Sequence, residues 1–216
     1  MKEKVKEAIE LLSNSKSKKR ESGAKKLRKL ESLDAGPALI QALEKEIQDK
    51  RTWSTQYHLI LAIGHSGFME ALQILMELAQ QEFEATIIYM GLGDSIFRLS
   101  VLSKSNEETL NAIYSFDKFR RTYGAFRALA LMKLLPKDNV IKRIIEIGSD
   151  PKGAEIVQGY PDDETGLRKW VASASAGWKA ELKNEFLADC EKIKDQHLLM
   201  AVENSRKNKY VKWNPY

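Results

Sequence analysis

The stretch TYGAFRALALMKLL, residues 122–135, carries apolar side chains nearly all the way round a helix. A helix of this kind must be packed by neighbours on several sides. Other stretches have one apolar face only, as at Leu39, Leu43 and Ile47, which recur every four residues. The chain therefore alternates amphipathic helices with more deeply buried ones, which predicts an all-α protein.

Composition supports this prediction and limits the alternatives. Only 12 Gly and 5 Pro in 216 residues leave little material for the many turns of a sheet-rich domain. The longest apolar runs, such as Leu59 to Ile63, are far shorter than the roughly 20 residues that cross a bilayer. The charged N-terminus lacks the apolar centre of a secretory signal. We expect a single domain, residues 1–216, in the cytoplasm, with no membrane partner.

Start and stop signals divide the chain into helices joined by short loops. Ser105 and Glu108 have the spacing of a capping box, and residues 159–163 read as a loop. Small residues then recur about every 35 positions, which is the length of a helical hairpin with its turns. They are Ala24, Ala62, Ala130, Ala174 and Ala201, with a Gly-x-Gly at 91–93 in the one wide gap.

Four segments with interleaved small residues and leucines carry a family resemblance. They are RESGAKKLRKL at 20–30, QYHLILAIG at 56–64, GAFRALALMKL at 124–134 and GLRKWVASASAGW at 166–178. They resemble the second helices of HEAT repeats, although Gln56 stands where the second hairpin should carry an Arg. The resemblance implies an α-α superhelix, or solenoid, of about five to six stacked HEAT-like hairpins.

Positive charge is concentrated at the two ends of the sequence. Residues 1–30 carry eleven Lys or Arg against four Glu, a net of +7, which leaves −2 for the rest of the chain. We interpret this segment as a basic N-terminal cap hairpin with a solvated outer face, or alternatively as a phosphate-binding patch. Residues 206–216 form a basic and aromatic tail without helical periodicity, either folded back on the last hairpin or serving as a docking segment.

Catalytic and phosphate-binding signatures are absent from the sequence. Cys190 is the only cysteine and lies on an apolar helix stripe, so we expect it to be buried and unreactive. We expect no cofactor, no metal and no enzymatic activity. Asp94 lies in a helix that reads as buried and needs a partner, which Arg98 at i+4 can supply. The functional alternative is that Asp94 binds a group of a ligand.

The resemblance implies that second helices line the concave face, where aromatic and Arg side chains would form a strip for binding a partner. The structural alternative is that the tryptophans pack between hairpins and the arginines are solvated. The candidate strip consists of Trp53, Asp94, Arg98, Arg120, Arg121, Tyr123, Arg127, Arg168 and Trp170.

Two main functions remain open. The first is a non-enzymatic scaffold or adaptor that holds a protein or peptide on the concave face. The alternative is a nucleic-acid-binding protein, such as the HEAT-like DNA glycosylases, whose cleft uses Trp, Asp and Arg. Those residue types are present, but their spacing transfers no catalytic position. A third candidate is a chromophore-attachment protein similar to the HEAT-like phycobilin lyases, for which no residue gives evidence. The sequence does not indicate an oligomeric state.

Overall fold

The structure, a computed structural model, describes residues 2–102, 120–150 and 165–213. These ranges contain α-helices and short 3-10 turns and no strand. The capping box expected at Ser105 and Glu108 and the loop expected at 159–163 lie outside them. The helices are α1 (Lys2–Leu12), α2 (Ser17–Leu30), α3 (Gly36–Glu46), α4 (Trp53–Ser66), α5 (Ala71–Leu78), α6 (Ile87–Leu102), α7 (Arg120–Met132), α8 (Asp138–Ser149), α9 (Arg168–Ala174), α10 (Ala180–Cys190) and α11 (Gln196–Arg206).

Six of these helices form one continuous row in which each packs on the next. This second-helix row consists of α2, α4, α6, α7, α9 and α11. Five others, α1, α3, α5, α8 and α10, each pack beside the row helix that follows them in the chain. Within the described ranges, five complete hairpins are thus stacked in series, and α7 adds a sixth member to the row. The predicted all-α superhelix of about five to six HEAT-like hairpins is confirmed.

Small residues set the spacing of the row, as their recurrence in the sequence predicts. Ala24, Ala62, Ala130, Ala174 and Ala201 all lie on row helices and are buried. The closest approach is between α6 and α7, where a side chain at Gly93 would overlap the carbonyl of Arg121 and one at Gly124 would overlap that of Met90. The two backbones touch there because neither glycine has a Cβ.

Polar links reinforce the stacking of the first hairpins. Arg20 on α2 donates to both carboxylate oxygens of Glu46 on α3, at 2.5 and 3.0 Å. Its Nη1 also donates to the carbonyls of Asn14 and Ser15, which lie in the α1 to α2 connection. One guanidinium therefore joins the first hairpin to the second through a bidentate ion pair. Across the described ranges, no helix has the length and apolar character needed to cross a membrane.

Candidate functional site

Asp94 is fully buried on α6, with 0% of its surface exposed, and both of its carboxylate oxygens are engaged. Arg98 Nε donates to Oδ1 at 2.6 Å, and Arg127 Nη1 on α7 donates to Oδ2 at 2.9 Å. The i+4 pair with Arg98 was predicted from the sequence and is confirmed. The carboxylate faces two arginines of its own chain, which compensate for its burial.

Three other arginines of the candidate strip also contact the protein itself. The Cζ of Arg121 lies 4.5 Å from the centroid of the Tyr89 ring, and that of Arg120 lies 5.7 Å from it. Arg168 Nη2 donates to the carbonyl of Ser149, the last residue of α8, at 2.8 Å. These contacts join neighbouring elements, and a cation near the carbonyls of a helix C-terminus is stabilising.

Trp170 lies in an aromatic cluster that includes residues from the C-terminal part of the chain. Its ring meets Tyr123 on α7 at 5.8 Å and Trp213 at 5.7 Å, both edge to face. Trp213 Nε1 donates to Ser173 Oγ on α9 at 2.9 Å, and its ring lies 6.1 Å from that of His197 on α11. Trp213 thus bridges the last two helices of the row.

Residues Lys209 to Trp213, the C-terminal segment, have no helical structure and run back over α11, α9 and the end of α7. Hydrogen bonds from one buried lysine hold the start of this segment in place. The buried Lys183 donates from Nζ to the carbonyls of Ser175 and Ser205 at 3.1 and 2.9 Å and to Asn208 Oδ1 at 2.9 Å. Burial lowers the pKa of Lys183. The ammonium group therefore anchors the chain where the segment leaves α11.

An open groove of about 650 Å³ lies between the C-terminal halves of the central row helices and the C-terminal segment. We call it the row groove. It is lined by Glu31, His65, Arg98, Ala130, Leu131, Lys133, Lys209, Tyr210, Val211, Lys212 and Trp213. Glu31 follows α2, and the next residues come from α4, α6 and α7, so a partner in the groove would span four successive helices of the second-helix row.

The row groove is predominantly positive. Lys133, Lys209 and Lys212 are exposed, and Arg98 adds a partly buried cation. The single carboxylate in the lining belongs to Glu31, whose Oε1 lies 3.1 Å from His65 Nδ1. Burial, and next the nearby Arg98, lower the pKa of His65.

Trp53 is separate from the rest of the candidate strip. It begins α4 with 46% of its surface exposed, whereas His65, on the same helix, lines the row groove. Twelve residues of helix put the two about 18 Å apart. Of the nine candidate residues, the structure groups Asp94, Arg98 and Arg127 in one cluster and Tyr123 with Trp170 in another.

Sequence reasoning did not select several residues that line the groove. Lys133, Lys209, Lys212 and Trp213 are not among the candidate residues, although the sequence of the tail is basic and aromatic. The mixture of Lys and aromatic residues in SRKNKYVKWNPY was the available signal. It could not indicate which helices the segment contacts.

No metal or thiol chemistry is evident in the part of the chain that the structure describes. It contains no group of three His, Cys, Asp or Glu side chains that could hold a metal ion. Cys190 is buried, as predicted, and burial raises the pKa of its thiol to about 12. At neutral pH the thiolate form is therefore negligible, which makes Cys190 a poor nucleophile.

Comparison with known proteins gives two solved structures of similar fold. A designed armadillo repeat protein is 13% identical, with 94% of this chain and 98% of that chain covered and a TM-score of 0.45. A protein described as engineered is 15% identical, with 97% and 99% covered and a TM-score of 0.44. At these identities the likeness concerns the fold alone. No family model and no curated protein matches the chain.

Proposed function

We propose that this protein is a non-enzymatic scaffold of the cytoplasm that holds an extended segment of a partner protein in the row groove. One observation carries the proposal. The C-terminal segment is itself a non-helical stretch of chain held against the second-helix row through Tyr210 and Trp213. Side chains of the row thus already bind polypeptide in this form, and the adjoining groove offers the same helices to a second stretch.

The shape of the groove is suited to a peptide. It joins an apolar surface, from Leu131 and Val211, to charged groups at its rim. Peptide sites on folded proteins commonly combine apolar contacts that give affinity with a few polar groups that fix orientation. A partner there would touch α4, α6 and α7 at once, and a solenoid provides such an extended surface through its stacking.

The alternative function, nucleic-acid binding, has weaker support from the arginines. Arg98 and Arg127 are engaged by Asp94, and Arg168 binds a backbone carbonyl. Such contacts reduce the number of cations that are available to bind phosphates. Neutralisation of phosphates supplies most of the non-specific affinity of proteins for nucleic acid. Asp94 is also enclosed by the two arginines and has no access to a base, which argues against a glycosylase role.

Selection from a random peptide library displayed on phage tests the proposal. The bait is the whole chain, compared with Leu131→Trp, which fills the groove, and with Leu33→Trp, which places the same bulk on an exposed leucine outside it. We expect wild type and Leu33→Trp to enrich shared peptides that Leu131→Trp does not bind. Failure to enrich any peptide, or equal binding by Leu131→Trp in its folded form, would overturn the proposal.

A further inference from the structure

We infer that the segment bound in the row groove is acidic, with carboxylates facing Lys133, Lys209 and Lys212 and apolar side chains facing Leu131 and Val211. The inference rests on the proposed function and names the chemistry of the partner. It depends on which charged groups in the groove are already satisfied by the protein.

The three lysines of the groove lack carboxylate partners among the described residues, whereas some other surface lysines are paired. Lys207, two positions before the segment, pairs with Glu203, and Lys192 pairs with Asp189 at 2.7 Å. Lys133, by contrast, has its Nζ 5.6 Å from the Tyr210 ring centroid. Three ammonium groups from two separate parts of the chain thus converge on one groove, and no carboxylate of the described residues pairs with them.

The distribution of charge also predicts the orientation of the bound segment. Glu31 lies at the α2 end of the groove, and the lysines lie at the α7 end and on the C-terminal segment. A carboxylate beside Glu31 would be repelled, whereas a hydrogen-bond donor or a cation there would be favoured. The acidic residues should therefore occupy the α7 end, with a basic or polar residue next to Glu31.

An acidic peptide fits this surface better than nucleic acid does. Sequence-tolerant binding of single strands combines cations with aromatic faces on which bases stack. In the groove, Lys133 lies over the Tyr210 ring, and Trp213 is packed against Trp170 and His197. These rings are partly covered by other side chains of the protein, and the remaining lining has no further Phe, Tyr or Trp side chain.

Fluorescence anisotropy with three labelled probes tests the inference. The probes are a pool of decapeptides alternating Glu with mixed apolar residues, the same pool with Lys in place of Glu, and a ten-nucleotide oligothymidylate. We expect the Glu pool to bind at least tenfold more tightly than either other probe. Its affinity should weaken as salt is raised from 50 to 300 mM, because exposed charges are screened.

Two double variants locate the binding. Lys133→Glu/Lys212→Glu should weaken binding of the Glu pool about tenfold or more, whereas Lys19→Glu/Lys26→Glu, with the same change in charge on the N-terminal hairpin, should change it less than twofold. If the first variant does not fold, Lys133→Met/Lys212→Met replaces it, with a smaller expected loss.

The outcomes separate this inference from the function on which it rests. If the Glu pool does not bind while library peptides still bind in a way that Leu131→Trp abolishes, the acidic assignment is wrong and the scaffold stands. Equal weakening by both double variants would mean general charge attraction and would overturn the inference. Tighter binding of the oligothymidylate would overturn it in favour of nucleic acid.

Discussion

Arg127 on α7 donates to Oδ2 of Asp94 on α6 at 2.9 Å, across 33 residues of sequence, and so ties two neighbouring helices of the second-helix row together. The other carboxylate oxygen is bonded to Arg98 on the same helix. The pair coincides with the contact of Gly93 and Gly124, where the two backbones meet. The junction between α6 and α7 therefore combines the closest packing with a buried ion cluster.

Removal of the carboxylate from this cluster should be costly. We expect Asp94→Ala to lower the free energy of unfolding by about 3–5 kcal/mol, because it leaves two arginines without their shared counter-charge in a largely buried site. Asp138→Ala is the control, since Asp138 forms an exposed pair with Lys179, and it should cost less than about 1 kcal/mol. Urea denaturation measures both, and similar losses would contradict this account.

Gly124→Ala tests the contact between α6 and α7, because the contact determines whether the substitution raises or lowers the free energy of unfolding. In an ordinary helix interior, Ala stabilises relative to Gly by about 0.5–1 kcal/mol. Here the added methyl group would meet the carbonyl oxygen of Met90, which belongs to the backbone of α6. We expect a loss of about 2 kcal/mol or more in thermal or urea unfolding. A gain in stability would show that α6 and α7 are not in backbone contact.

Lys183→Met should both destabilise the protein and release the C-terminal segment. The carbonyls of Ser175 and Ser205 would lose a charged donor, at a cost of about 2–3 kcal/mol. Trypsin should then cleave after Lys209 and Lys212 faster than in wild type. Lys179→Met, which removes an exposed lysine, is the control and should leave the cleavage rate unchanged. Unaltered cleavage of Lys183→Met would refute the anchoring role.

His58 should make folding sensitive to mild acid. Burial, and next the nearby Lys25 and Arg28, lower its pKa to about 4 from a usual value of 6.5. Between these values the unfolded chain binds a proton that the folded chain does not, so stability falls as the pH is lowered from 6.5 to 4.

The size of this effect is about 1–2 kcal/mol, less than the full shift because solvent reaches part of the ring. Urea unfolding at pH 6.5 and 4.5 should show a smaller decrease for His58→Gln than for wild type. Other groups titrate in both proteins and cancel in the comparison. Equal decreases would mean that His58 is protonated in the folded state as readily as in the unfolded one.

Lys133 offers a substitution that separates stability from binding. It follows α7 with a φ of 55°, and the N–H of Leu134 bonds back to the carbonyl of Leu129, as at a helix end that favours glycine. Lys133→Gly should raise the free energy of unfolding by about 0.5–1 kcal/mol because the left-handed conformation is strained for a side chain. The same variant should bind the acidic probe more weakly. A fall in stability would contradict this assignment.

The fold could be predicted because its determinants are local. Apolar periodicity marks each helix, and the small residues from Ala24 to Ala201 mark the row helices. The pair of Asp94 with Arg98 was predictable for the same reason, because residues four apart on a helix are neighbours. Arg127 was not identifiable as the second partner, since its position depends on how α7 is aligned against α6.

The candidate site was harder to predict because it depends on contacts between distant parts of the chain. Trp53 and Trp170 both lie near the start of a row helix, yet Trp53 is exposed and Trp170 is buried by Tyr123 and Trp213. Trp213 lies in a segment without helical periodicity, so no pattern indicates where it folds. The groove lysines were missed because the C-terminal segment forms one wall of the groove.

The glycine contact and the ion cluster at the α6 to α7 junction have a mechanical consequence. In a linear array each hairpin is held only by its neighbours, so a stretching force loads every interface equally and the weakest yields first. The α6 to α7 junction resists shear through touching backbones and a shared carboxylate, so it should not be the first to yield. Under tension the contacts on either side of this junction should therefore separate before those between α6 and α7 do.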